Sequence, residues 1–251
     1  MTFPVYITLG PLSLHPHLVF ETLAYFVGFR LYLWTRRKER LPAPQAMWII
    51  VGATLGAAIG SKLLFLLEDP AATWAHRTDW RWLMGGKTIV GGLLGGLIGV
   101  EWTKRLIGVT QSTGDDLVFP LITGMAIGRV GCFLTGLSDH TYGTPTTWPT
   151  GVDFGDGILR HPTQLYEIAF LLVLALFIWL VRRRVLLGAR QLPDGALFQC
   201  FMLGYLLFRL LIDFIKPTPH PYGGLNQIQL ACILGIIYYI TLVRRWRRVT
   251  A

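Results

Sequence analysis

Residues 124–167 read GMAIGRVGCFLTGLSDHTYGTPTTWPTGVDFGDGILRHPTQLYE. An apolar run holds one arginine, Arg129, in its interior. It opens into a polar, turn-rich loop, and a second apolar run begins on His161, Gln164 and Glu167. A charge inside an apolar run is costly unless it is paired or does work. The stretch therefore reads as two membrane helices joined by a small loop, with Arg129 as the residue to be explained.

The rest of the chain agrees. Of 251 residues, 53% are hydrophobic and only 15% charged, and the mean hydropathy is +0.50. A soluble domain carries about 25% charged residues. Apolar runs at about 17–35, 47–67, 88–104, 117–137, 162–181, 195–215 and 227–243 are each roughly the length needed to cross a bilayer. The expectation is an all-α polytopic membrane protein of about seven transmembrane helices. It forms one domain over 1–251, with 138–161 as a small extracytoplasmic cap.

The net charge of +9 does not indicate nucleic acid, because the basic residues sit in short clusters at the ends of apolar runs. Arg36, Arg37, Lys38 and Arg40 follow the first run, and Lys104 and Arg105 the third. Arg182, Arg183, Arg184 and Arg190 follow the fifth, and Arg244, Arg245, Arg247 and Arg248 end the chain. These fourteen oppose five (Arg77, Arg81, Lys87, Arg160, Lys216) on the other side. The asymmetry predicts an outside N-terminus and a cytoplasmic C-terminus. MTFPVYITLG at the start lacks a positive n-region, so no cleavable signal peptide is expected.

Gly52, Gly56 and Gly60 recur every four residues in the second run, and Gly91, Gly95 and Gly99 in the third. Each series bares a strip of backbone for close helix packing. Residues 68–87, with Trp74, Trp80 and Trp82, read as an amphipathic stretch at the interface. Residues 216–226 form a Pro-rich turn. Cys132, Cys200 and Cys232 show no metal or disulfide spacing, so neither is expected.

Arg129 lies about two-thirds along the fourth run, and Arg209 lies at similar depth in the sixth. Tyr205 and Asp213, four residues either side of Arg209, share its helical face. Two readings stand. The guanidinium forks bind an anionic phosphate, or Arg209 pairs with Asp213 and Arg129 with another buried acid. Glu167 is either that partner or a proton carrier. His161, Gln164 and Glu167, spaced by three, can share one face, and Pro162 suits a first helical turn. Glu21 either pairs with an arginine or takes a proton. Arg30 and Lys62 are read as snorkelling to the interface. Asp139, His140 and Tyr142 either touch a headgroup or acceptor, or form turns.

GRVGCFLTG, RHPTQLYE, GYLLFRLLIDF and LNQIQL, in that order, resemble the prolipoprotein diacylglyceryl transferase family. The resemblance covers the chain from about residue 85 onward, and RHPTQLYE is its most specific part. It implies a multi-pass enzyme of the bacterial cytoplasmic (inner) membrane. Such an enzyme moves the diacylglyceryl group of phosphatidylglycerol to the lipobox cysteine thiol of a prolipoprotein and releases glycerol phosphate. It implies that Arg129 and Arg209 bind the donor phosphate and that Tyr205 is the family's tyrosine before the second arginine; Gln164, His161, Glu21 and Asp213 join them as substrate-binding candidates on the reading of the residues themselves. Partners would be phosphatidylglycerol or a related anionic phospholipid and the prolipoprotein signal peptide; no metal or organic cofactor is implied.

The chain also departs from the family pattern. Val90 stands where the family has a histidine before paired glycines, Cys132 where it has asparagine, and Leu137 where it has an acid. Glu21 stands for a tyrosine, and Asp213 keeps an acid after the second arginine. These changes leave Glu21, Asp139, His140 and Glu167 as candidates for proton transfer. They also leave open a transferase with a different acceptor, or a lipid-binding or transport protein.

Overall fold

A computed structural model describes residues 3–36, 41–186 and 192–249, with backbone only at Leu9 and 244–249. In chain order the elements are strands β1 (Ile7–Leu9) and β2 (Leu12–Leu14), then helices α1 (Pro16–Thr35), α2 (Ala43–Leu66), α3 (Pro70–Ala75), α4 (Trp80–Met84), α5 (Ile89–Leu106) and α6 (Val118–Thr135). Strands β3 (Val152–Asp153) and β4 (Leu159–Arg160) follow, then helices α7 (Thr163–Leu186), α8 (Ala196–Ile212) and α9 (Gln227–Val249). A helix thus occupies each of the seven predicted ranges. Four are long and apolar enough to cross a membrane: Ala43–Leu66, Asp115–Asp139, Thr163–Leu186 and Ala196–Ile215. Outward faces carry large apolar side chains such as Phe26, Trp48, Ile98 and Val173. In water such surfaces are a liability; against acyl chains they are the expected solution.

Arg37, Lys38, Arg40 and Arg190 of the basic clusters lie outside the described residues, as do the side chains of Arg244, Arg245, Arg247 and Arg248.

One compact unit comprises Met1–Arg36, Thr113–Tyr205 and Phe214–Pro217. Here α1 packs along α6, and α6 on α7. Gly131 admits the Phe20 side chain, where a Cβ would collide. The α6 helix ends at Gly136, whose φ of 71° an L side chain rarely adopts. Phe3, Phe133 and Phe154 then form an aromatic cluster, with centroids 5.2–5.8 Å apart. In the loop beyond, β3 and β4 pair antiparallel, Val152 opposite Arg160. The Asp115 carboxylate accepts from Gly195 N (2.8 Å) and Phe198 N (3.0 Å), capping the start of α8.

The second unit comprises Arg37–Ser112, Leu206–Asp213 and Thr218–Ala251. Its centre is α2 against α5. The two glycine strips face each other: a Cβ on Gly56 would strike the Gly95 carbonyl, and one on Gly95 the Gly56 carbonyl. This is small-residue packing, as the spacing predicts. Thr88 N donates to Ser61 Oγ (2.9 Å) and Thr88 Oγ1 to Ser61 O (3.1 Å) at one end of the pair.

The Lys62 ammonium donates to the carbonyls of Gly85 and Gly86 (3.1 Å for the latter). Residues 68–87 hold two short helices. The carboxylates of Asp69 and Asp79 cap new N-termini at α3 and α4, so the stretch breaks in two. Trp74 and Trp80 remain exposed, while Trp82 stacks on His76 at 5.2 Å.

Candidate active site

In the first unit, three helices converge on Glu167. Its Oε2 lies 2.8 Å from Arg129 Nε, with 2% and 6% of the two side chains exposed. The Tyr205 hydroxyl, fully buried on α8, donates to Oε1 at 2.8 Å. Arg129 Nη1 lies 3.8 Å from Cys132 Sγ, one turn on. Of the two readings of Glu167, the structure brings out the partner of Arg129. Isolated ions at this depth would each cost several kcal/mol, which pairing and hydrogen bonding offset. The pair also fixes the guanidinium plane, and Nε is only one of its five N–H donors.

A chain of hydrogen bonds runs from α7 to α1. Gln164, 1% exposed, donates Nε2–H to Thr141 Oγ1 (3.0 Å), and Thr163 Oγ1 donates to Thr141 O (2.5 Å). Thr141 Oγ1 donates to Asp139 Oδ2 (2.7 Å). Asp139 Oδ1 accepts from His17 Nδ1 at 2.8 Å, and His17 Nε2 lies 3.6 Å from Glu21 Oε2. Asp139 is thus more than a turn residue, and Glu21 has an imidazole beside it. His17 was not a sequence candidate; its partner Asp139 lies far along the chain, and only the fold joins them.

Two candidates fall elsewhere. His161 does not share the face of Gln164 and Glu167. The helix begins only at Thr163, and His161 is still extended, its N–H on Thr144 O. Its ring meets the Tyr166 hydroxyl (3.2 Å) and Trp148 (5.4 Å) instead. His140 is exposed in the left-handed region, φ 53°, and shapes the turn after Asp139. Tyr142 lies under the Arg160 guanidinium at 5.3 Å.

In the second unit, Arg209 Nη2 lies 3.0 Å from Asp213 Oδ1, with 8% and 0% exposed. This is the pairing the four-residue spacing offers. Asn226 Nδ2 donates to Asp213 Oδ2 (3.3 Å) and Thr218 Oγ1 (3.2 Å). Asn226 Oδ1 accepts from Gln229 N (2.7 Å), and Gln229 Oε1 accepts from Asn226 N (2.9 Å). The LNQIQL segment is therefore a reciprocal cap on α9 that also steadies the Arg209 counter-ion. Val90 is 1% exposed and offers no titratable group.

Apolar helices of membrane length that bury an arginine–carboxylate pair in each unit define a helical membrane protein. The chain belongs to the prolipoprotein diacylglyceryl transferase family, whose model matches residues 4–245. It is similar to the phosphatidylglycerol–prolipoprotein diacylglyceryl transferase of Nitratidesulfovibrio vulgaris (strain DP4), 32% identical over 96% of this chain and 93% of that protein. The enzyme of the same name from Pseudoalteromonas atlantica is 32% identical over 96% and 90%. That of Cupriavidus metallidurans is 30% identical over 99% and 96%.

Proposed function

We propose that this chain transfers the diacylglyceryl group of phosphatidylglycerol to the lipobox cysteine thiol of prolipoproteins, releasing glycerol phosphate. The observation that carries the reading is the identity of about 30% across nearly the full length of relatives bearing that name. The chemistry of the buried residues supports it. Arg129 and Arg209 bind the donor phosphate, and their permanent charge stabilises the leaving glycerol phosphate. Glu167 and Asp213 hold the two guanidinium planes, and Tyr205 holds Glu167. Gln164 lines the same buried helix face as Glu167.

We read the chain as a single domain that crosses the bacterial inner membrane seven times, with its N-terminus outside and its C-terminus in the cytoplasm. The basic-residue asymmetry supports that orientation. It puts the 138–161 loop on the side where secreted prolipoproteins arrive.

A second reading has one observation in its favour. Val90, buried and apolar, stands where the family carries a histidine, so a related transferase with another acceptor is the alternative. Purified protein is mixed with phosphatidylglycerol and a lipobox peptide, and the peptide mass and released glycerol phosphate are followed. A diacylglyceryl mass gain on the cysteine is the expected result. Glycerol phosphate without modified peptide overturns the prolipoprotein acceptor.

A further inference from the structure

We propose that His17, held by Asp139, is the base that takes the proton from the acceptor thiol. The proposal rests on the transfer reaction above. A thiol is a poor nucleophile until it ionises, with a free pKa of about 8.5, so transfer near neutral pH calls for a base. Val90 cannot supply one.

The geometry points to His17. It sits on the first turn of α1, with 41% of its side chain exposed, open to an incoming peptide. Its Nδ1–H donates to Asp139 Oδ1 at 2.8 Å, which leaves Nε2 as the basic nitrogen. Asp139 is itself 9% exposed and held by Thr141, which Gln164 holds in turn. A base oriented by a fixed carboxylate is the arrangement that activates nucleophiles. The imidazole is also near the phosphate-binding charge. Ligating atoms of His17, Asp139 and Cys132 lie within 4.8 Å of one another, and Cys132 Sγ is 3.8 Å from Arg129 Nη1.

The same three side chains have the donor types of a metal site, but the distances favour a dyad. Two ligands at about 2.0–2.2 Å from one tetrahedral ion stand roughly 3.3 Å apart. The 2.8 Å separation of His17 and Asp139 is that of a shared proton. Arg129 beside Cys132 further disfavours a cation there.

In the step, His17 Nε2 takes the thiol proton. The sulfur attacks the glyceryl carbon bonded to the phosphate oxygen; the S–C bond forms as that C–O bond breaks. Glycerol phosphate leaves with the bonding pair, its charge met by Arg129. The imidazolium returns its proton to solvent past Glu21, whose Oε2 is 3.6 Å from Nε2 and whose side chain is 33% exposed. Asp139 is a positioning residue.

The test is steady-state transfer from phosphatidylglycerol vesicles to a lipobox peptide, from about pH 6 to pH 9.5. Wild type, His17→Gln, His17→Ala and Asp139→Asn are compared. Glutamine keeps a donor for Asp139 but cannot take a proton. His17→Gln should lose about 10²–10⁴-fold in kcat at pH 6.5, with KM for the lipid unchanged. The loss should shrink as pH passes the thiol's own pKa, because the thiolate then forms unaided. Added imidazole should restore part of the rate to His17→Ala. Asp139→Asn should lose less, with the same narrowing. A His17→Gln enzyme equal to wild type at pH 6.5, or a loss independent of pH and of imidazole, overturns the base. A wild-type enzyme that modifies no thiol overturns the transfer reading and the base with it, and this shows before any substitution is made.

Discussion

Arg129 Nε and Glu167 Oε2 stand 2.8 Å apart with almost no solvent at either side chain. Removing one partner strands the other as a buried charge, at about 3–5 kcal/mol. Loss of activity in Arg129→Ala alone therefore mixes chemistry with folding. The double variant Arg129→Gln with Glu167→Gln removes both charges together. It should melt within about 1–2 kcal/mol of wild type and remain inactive. If it transfers diacylglyceryl at a near-normal rate, Arg129 serves only the fold. Arg129→Lys should keep the charge but lose most turnover, since an ammonium cannot reproduce the fork.

The cluster around Arg209 makes a different prediction, because its counter-ion is steadied by a helix cap. Asn226→Ala removes the N-cap of α9 and one donor to Asp213. It should cost about 1–3 kcal/mol, measured by thermal melting in detergent. Asn226→Asp keeps the cap acceptor but sets a second carboxylate against Asp213. If the cap alone matters, Asn226→Asp matches wild type. If the donor to Asp213 matters, it falls near Asn226→Ala, and that is the expected result.

Helix positions were legible because apolar runs of bilayer length leave few alternatives. Arg129 and Arg209 were legible as charges within such runs, and the Arg209–Asp213 pair as a four-residue spacing. His17 was not, since neither its helix nor its neighbours reveal Asp139, in the turn beyond α6. His161 was misjudged because residue spacing implies a shared face only inside a helix, and α7 starts two residues later. The split of 68–87 was written in Asp69 and Asp79, which cap helices as readily as they decorate an amphipathic surface. The glycine strips announced close packing but not the partner.

The loop beyond α6 carries a pH prediction. Arg160 Nη1 donates to Asp156 Oδ1 at 2.6 Å, and this bond holds the Asp156 carboxyl below the usual carboxylate value. A depressed folded value means the stabilisation is complete above the ordinary aspartate pKa of about 3.9 and is lost as pH falls through the lower folded one. Ile158 N, which donates to the same carboxylate at 3.3 Å, is the reporter. Its amide shift should titrate below about pH 3.9 in wild type and move upward in Arg160→Gln. An unmoved midpoint removes the Arg160 contribution.

The facing glycines of α2 and α5 separate backbone contact from mere helix propensity. On Gly56 and Gly95 a methyl group would enter a carbonyl oxygen of the opposite helix, which cannot rotate away. On Gly92 the nearest atoms are Ala57 O at 3.9 Å and Ser61 Cβ at 4.0 Å, ordinary contact distances. Gly56→Ala and Gly95→Ala should each destabilise by about 1–3 kcal/mol or more, because the helices must part along their length and forfeit the packing that holds them without a hydrophobic drive. Gly92→Ala should be neutral or stabilising by about 0.5–1 kcal/mol, the gain from replacing glycine inside a helix. Thermal melting of the three single variants decides. Equal losses at all three positions would mean that helix propensity and lipid contacts, and not the backbone seam, set the stability of this pair.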